Sequence, residues 1–319
     1  MFEKCAIGLL VHDRFDLTHQ TLMSLKFSSQ NKSTYDVFLI DNNISEKCQK
    51  QLKRFINSDI LEIKNAYFLS SEVSIPQAWN LFLGLTYDYN YRLKIDNDIV
   101  LLKTIIPALS SNKKNIIDAP SPADSDPLSG APRSGAIIGG VTLNSSTATV
   151  GIHHKKSDDV PQNSNFIQHM RLFGNDNDVE IVSLLPVPPN GTFISMYNDA
   201  ISRKINGRNY LLGGCMQISK KAYDTLGYFD ERLSRQIDVE YTQRAIRKGI
   251  NIGYHPSYWV VHMGANSPTE SKEVYESKMS ESIRKLQILP TLDKMPTIWE
   301  PVLRQIYLSA KKSKIVNIS

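Results

Sequence analysis

The sequence predicts an α/β fold in which a mostly parallel central sheet is flanked by helices. Three observations carry that prediction. The N-terminal third alternates short β-rich runs with helical patterns, which implies right-handed crossovers between parallel strands. The runs are almost continuously apolar, as expected of strands covered on both faces. Asp41 and Asp96 fall at predicted strand ends, beyond which open sheets of this kind bind their ligands.

Cys5–His12 (CAIGLLVH) is the first buried strand. Leu17–Phe27 follows with helical spacing, Leu22 and Leu25 on its apolar side. Val37–Asn42 (VFLIDN) is the second strand, and Ser45 is placed to cap a helix carrying Cys48, Leu52, Phe55 and Ile56 on one face. Ile60–Ile63 reads as a third strand, and Pro76 opens a helix bearing Ala78, Trp79, Leu81, Phe82 and Leu85. Tyr91–Asp98 (YRLKIDND) alternates, with Tyr91, Leu93 and Ile95 on one side. From Asp118 to about Asn209 the chain is rich in Pro, Ser, Asn, Asp and Gly. One strand stands out there, Ala136–Leu143, while Ser121–Gly130 and Pro186–Gly191 read as surface loops. Regular structure returns at Tyr210–Ile218, then helices at Ser219–Leu226 and about Asp238–Lys248, and a strand within Ile252–Met263 ending at His262. Two further helical patterns, Glu270–Leu289 and about Ile298–Lys312, complete the chain.

With 319 residues, 41% of them hydrophobic, there is apolar material for one large core, or one core and a smaller appended piece. No stretch approaches the roughly 20 apolar residues of a membrane span. The first apolar run ends in His12, Asp13 and Arg14 rather than at a small-residue cleavage site, so a soluble protein without a signal peptide is expected. Cys5, Cys48 and Cys215 are odd in number and lack metal-ligand spacing, which argues against a disulfide framework and suits a reducing cytoplasm. The net charge of +5 permits a phosphate-bearing donor, an anionic membrane surface or a nucleic-acid acceptor, and demands none of them.

Three motifs can carry chemistry. Lys94-Ile95-Asp96-Asn97-Asp98-Ile99 puts an Asp-x-Asp at the end of an apolar strand. Two carboxylates one residue apart can reach a hard cation such as Mn²⁺ or Mg²⁺ from one turn, although Asp and Asn also end strands routinely. Ile237-Asp238-Val239-Glu240-Tyr241, followed by Arg244, places Asp238 at a helix start, where a carboxylate is favoured and can serve as a base or simply as an N-cap. Val260-Val261-His262-Met263-Gly264 closes an apolar strand with a histidine that can ligate a metal as a neutral imidazole or be purely structural.

The order of these pieces resembles the large GT-A family of inverting, nucleotide-sugar-dependent glycosyltransferases (family 2-like). In sequence they are Val11-His12-Asp13-Arg14, Ile40-Asp41-Asn42, Ala78-Trp79-Asn80, the Asp-x-Asp, Gly213-Gly214-Cys215, Gly227-Tyr228-Phe229-Asp230-Glu231, the Asp238 helix and His262. The resemblance spans roughly Lys4 to Gly264. It implies a GT-A domain over 1–266, with a nucleotide-binding half at 1–110 and an acceptor-binding half at 111–266, and a helical C-terminal appendage at 267–319. It implies a nucleotide-diphosphate sugar as donor and Mn²⁺ or Mg²⁺ as cofactor. By position it further implies that Asp41 binds the base or ribose, with His12 and Arg14 nearby, and that Asn80 supports the donor pocket. Asp96 would contact ribose, sugar or metal; Asp98 and His262 would ligate the metal; Asp238 would be the catalytic base. Gly213 and Gly214 would let the backbone pass close to the donor sugar. The sequence departs from the pattern at Ile237, where the family usually has Glu before the base, at His12, where Tyr or Asn often stands, and at Glu240, where many members have Asp.

Three acceptor classes follow. The first is a cell-surface glycan or lipid-linked saccharide, with the enzyme in the cytoplasm and its basic last helix (Lys311, Lys312, Lys314) resting on the inner face of the membrane. That helix is equally compatible with plain solvation. The second is DNA carrying a hydroxymethylated base, as for phage-type transferases. Lys113-Lys114, Lys155-Lys156, Arg203-Lys204 and Arg208 would then track phosphates. The third is no acceptor at all, in a non-catalytic nucleotide-sugar or glycan-binding module.

Overall fold

The computed structural model describes residues 4–28, 35–101, 136–138, 141–144, 147–152, 166–188, 199–200, 202–205, 209–263, 271–290 and 292–318. In chain order its elements are β1 (Cys5–Val11), α1 (Phe15–Ser28), β2 (Tyr35–Asp41), α2 (Glu46–Asn57), β3 (Ile63–Leu69), α3 (Ile75–Leu85), β4 (Tyr91–Asp96), β5 (Ile99–Leu101), β6 (Ala136–Ile138), β7 (Val141–Asn144), β8 (Thr147–Ile152), α4 (Phe166–Asn177), β9 (Ile181–Val187), β10 (Cys215–Ser219), α5 (Lys220–Leu226), α6 (Ile237–Arg247), β11 (Ile252–His262), α7 (Lys272–Ile288), α8 (Glu300–Ala310) and β12 (Ile315–Ile318). Local signals start the helices where the sequence predicts. The Ser45 hydroxyl accepts from the Cys48 amide, and Ser74 and Gln77 form a reciprocal capping box with Pro76 in the first turn.

Nine strands make one sheet in the order β12-β3-β2-β1-β4-β10-β9-β11-β5, and β6, β7 and β8 form a small antiparallel sheet. From β12 to β4 every neighbour is parallel; β10 runs antiparallel to β4 and β9. Strand alternation divides the core into two layers. Ile7, Leu9, Val37, Leu39, Leu93 and Ile95 meet α1, α2 and α4; Ala6, Leu10, Phe38 and Ile40 meet α3, α5, α6 and α8.

That second layer contains an uncompensated charge. Arg92 of β4 is fully buried, its guanidinium lies 4.3 Å from the Tyr223 ring centre, and none of its three side-chain nitrogens has a hydrogen-bond partner among the described residues. Burial pulls its pKa below the ordinary arginine value. Arg92→Met keeps the contact with the tyrosine ring and removes the desolvation cost. It is expected to raise stability by about 1 kcal/mol or more, read as a higher urea midpoint.

The described residues depart from the sequence reading in several places, among them β8 and α4 in the stretch read as loop-rich. The third strand is Ile63–Leu69, not Ile60–Ile63; the polar Lys64 and Asn65 mask it, and Asn65 is satisfied by donating to the Ala310 and Ser313 carbonyls at 2.9 and 3.1 Å. Pro186 is not in a loop but in β9. A proline is tolerated there because β9 pairs with β10 over Ile181–Ser183, so its later residues have β11 as their only strand neighbour among the described residues. Ala136–Leu143 divides into the paired strands β6 and β7. Residues 267–319 supply two helices as expected, and also β12, which extends the main sheet parallel to β3. The expected loop Ser121–Gly130 lies outside the described residues. Among those described, no helix is long and apolar enough to cross a membrane.

The C-terminal segment is clipped to the end of α5 and to α3. Gly227 (φ +71°) faces Met295 so closely that a Cβ would collide with the Met295 carbonyl. The Tyr228 amide donates to the Met295 carbonyl at 3.2 Å, and the Met295 amide donates to the Leu226 carbonyl at 3.0 Å. The Trp299 indole N–H donates to the Gln77 carbonyl at 2.7 Å.

Candidate active site

The carboxyl ends of β1 and β4 and the far end of β11 meet at one place. Helix α1 anchors the Asp-x-Asp turn, because the Thr21 hydroxyl donates to the Asn97 carbonyl (2.9 Å) and the Asn97 amide donates to Thr18 (3.3 Å). The Met263 amide donates to the Asp98 carbonyl at 2.8 Å and draws the end of β11 against the same turn.

Asp98 is the centre. One of its oxygens, Oδ2, lies 3.4 Å from His262 Nε2 and accepts a 3.3 Å bond from Arg14 Nη2. Burial alone would raise the Asp98 carboxyl. The His262 hydrogen bond and the charges of His262 and Arg14 outweigh burial and hold it below the usual carboxylate range. In return the hydrogen bond to Asp98 raises His262 above the ordinary histidine value, against burial. His12 is half-buried beside this group, and burial lowers its pKa.

A carboxylate suits both Mn²⁺ and Mg²⁺, whereas an imidazole nitrogen suits the less hard Mn²⁺ better, so the facing pair fits a divalent cation and favours Mn²⁺. Asp96 does not join them. Its carboxylate is held by Lys94 Nζ at 2.5 Å, and among the described residues no group of three or more His, Cys, Asp or Glu side chains is arranged around a common point. Two protein ligands would leave such a cation open to substrate oxygens and water.

Lys94 Nζ also donates to the Gly213 carbonyl at 2.7 Å, and the Gly213 amide donates to Asp238 Oδ2 at 2.8 Å. Gly213 has no room for a side chain: a Cβ would lie 2.7 Å from that of Asp238. Asp238 is the second residue of α6, whose N-cap position is Gln236, with no side-chain capping bond, so Asp238 is not the cap. Burial raises its carboxyl, partly offset by Lys94 and by the Gly213 and Val239 amides. Tyr210 and Tyr254 complete its surroundings, the Tyr254 hydroxyl accepting from the Leu212 amide at 2.8 Å.

The structure brings His12, Arg14, Asp98 and His262 together at one turn and joins Asp96, Gly213 and Asp238 through Lys94, with Gly214 packed on Ile99. Two residues stand apart. Asp41 reaches the end of β2 but is 1% exposed, and its two oxygens accept from the Ile44 amide (2.9 Å) and the Gln49 side chain (3.3 Å). Asn80 is fully buried and exchanges two bonds with the Phe229 backbone, at 2.9 and 2.8 Å. Its amide therefore joins α3 to the 227–231 loop. Lys94 went unmarked in the sequence because it alternates with apolar residues and reads as the solvent side of a strand. Of the loop cations, Arg203 is paired with Asp199, while Lys113, Lys114, Lys155, Lys156 and Arg208 lie outside the described residues, as do His153 and His154.

No protein-family model and no curated protein matches the chain. Solved structures do. The mannosyltransferase PcManGT from Pyrobaculum calidifontis, in complex with GDP-Man and Mn²⁺, aligns at TM-score 0.55 and 11% identity over 95% of this chain and 69% of that one. S. aureus TarS 1–349 in complex with UDP-GlcNAc aligns at TM-score 0.53 and 12% identity, over 91% and 68%. Against the longer S. aureus TarS structure the TM-score is 0.52 and this chain spans 41% of its length. At such identities the likeness establishes the fold, which is that of the GT-A-type glycosyltransferases.

Proposed function

We propose that this chain is a glycosyltransferase that moves a sugar from a nucleotide-diphosphate donor to a hydroxyl acceptor, with inversion and a divalent cation. The observation that supports it most is that Asp98, His262 and Arg14 converge on the turn that follows Asp96, and that Lys94 and Gly213 connect Asp96 to a further carboxylate, Asp238, which accepts from the Gly213 amide at 2.8 Å. Structures of the same fold bind GDP-Man with Mn²⁺, and UDP-GlcNAc, which favours donors of that class here.

In this reading residues 1–110 form the nucleotide half, 111–266 the acceptor half and 267–319 an extension. Asp98 and His262 would hold Mn²⁺ or Mg²⁺, which supplies charge neutralisation for a departing diphosphate. Arg14, already on Asp98, turns its guanidinium to the same charge. Asp96 and His12 line the ribose and sugar side. Asp238 takes the proton of the acceptor hydroxyl, and Gly213 and Gly214 keep the approach clear of side chains. Asp41 contributes through the loop at 42–44 that it fastens, and Asn80 through the loop at 227–231. The acceptor we favour is a cell-surface glycan or lipid-linked saccharide met at the inner face of a membrane. DNA is a weaker acceptor, since Arg203 already has its carboxylate partner.

A panel of nucleotide sugars tests the reading. One donor should be hydrolysed slowly without acceptor in the presence of Mn²⁺, at least about a hundredfold faster than after chelation. Equal turnover of every donor after exhaustive chelation, or binding of none, would sink it.

A further inference from the structure

The tie between the two carboxylates is unusual in its composition. Lys94 is 4% exposed in the middle strand of a sheet covered on both faces, a position at which an ammonium costs several kcal/mol to desolvate unless it is fully engaged. Its Nζ meets three partners: Asp96 Oδ1 at 2.5 Å, the Gly213 carbonyl at 2.7 Å and the face of Trp79, 4.7 Å from the ring centre. Gly213 uses both of its backbone groups on charged side chains, its carbonyl on Lys94 and its amide on Asp238. The next carbonyl, Gly214, accepts from the Asp96 amide at 2.9 Å. Asp96, Lys94, Gly213 and Asp238 thus form one chain of bonds linking the strand end on the donor side to the start of α6.

We propose that Lys94 is a positioning residue that sets Asp96 and, through the Gly213 peptide, Asp238 in a single fixed geometry. This rests on the reading of the site as a sugar transferase. A carboxylate on a loosened peptide would sample positions off the acceptor hydroxyl, and a misplacement of about 1 Å can cost about a hundredfold in rate. In this reading the diphosphate and its cation, the main source of donor affinity, are held by Asp98, His262 and Arg14, none of which bonds Lys94, while Asp96 orients the sugar. The rate should therefore fall without the affinity.

The test uses Lys94→Met and Lys94→Gln in the full chain. In Lys94→Met, kcat should fall about a hundredfold while the KM for donor stays within about threefold. Lys94→Gln keeps an N–H for the Gly213 carbonyl and should lose less; should Lys94→Met fail to melt cooperatively, Lys94→Gln carries the same comparison. A second readout needs no turnover. The Gly213 amide should exchange its hydrogen at least about tenfold faster in the variant, with the amides of α2 unchanged. Wild-type kcat in a folded variant, parallel loss of kcat and donor affinity, or unaltered Gly213 exchange would overturn the proposal. Wild-type protein inert toward every donor sinks the transferase reading instead, and leaves the exchange result to decide the role of Lys94.

Discussion

Asp238→Asn is expected to lower transfer by about 10³-fold, within the roughly 10²–10⁴ that a positioned general base supplies, while donor binding measured by calorimetry stays near wild type. The amide is nearly isosteric, and its oxygen can still accept from Gly213, so the hub at 213–214 survives the change. The pH profile gives an independent check. Burial raises the Asp238 carboxyl from its ordinary value of 3.8, with Lys94 and two amides opposing. A base works only when deprotonated. The acid limb of kcat should therefore lie at higher pH than a solvent-exposed aspartate would give, and should vanish in Asp238→Asn. Full turnover in that variant removes Asp238 from the chemistry.

The largest expected effect on stability comes from the same helix, α6. Arg244 is fully buried, and its guanidinium donates to both oxygens of Glu240 at 2.9 Å, to the Tyr228 carbonyl at 2.8 Å and to the Leu226 carbonyl. Arg244→Met leaves the Glu240 carboxylate buried with Arg247, 3.9 Å away, as its remaining ion-pair partner among the described residues. Breaking a buried pair from one side costs about 3–5 kcal/mol, read as a lower urea midpoint. Glu240→Gln combined with Arg244→Met should recover much of that loss, because the stranded charge is gone. A single variant as stable as wild type would show that the pair contributes nothing. Glu240, read from sequence as a departure near the base, is thereby explained as the acidic half of this brace.

Much of this was legible in the residues. Continuous apolar runs mark β1 and β2, Ser45 caps α2, and Pro76 stands in the first turn of α3, each as the sequence predicts. Asp98 and His262, far apart in the chain, are paired by the order of the motifs, and they face each other in the fold. What escaped has physical causes. Asp41 and Asn80 look like ligands in sequence, yet both spend hydrogen-bonding groups on the chain's own backbone. Arg92 and Lys94 alternate with apolar residues, the mark of a strand with one wet face, whereas this sheet is covered on both. β9 was hidden by its proline, and β12 by its brevity.

β12 has a consequence for how the chain comes to be folded. Residues 315–318 pair with 66–69, near the opposite end of the sequence, and the Ser70 amide donates to the Ile318 carbonyl at 2.9 Å. At roughly 5–20 residues per second, β3 emerges from the ribosome on the order of ten seconds or more before its outer neighbour exists. For that interval it is a bare sheet margin, open to pairing with any other nascent chain. Shortening the protein before Ile315 would leave the seven-residue β3, in place of the four-residue β12, as the permanent margin of the sheet.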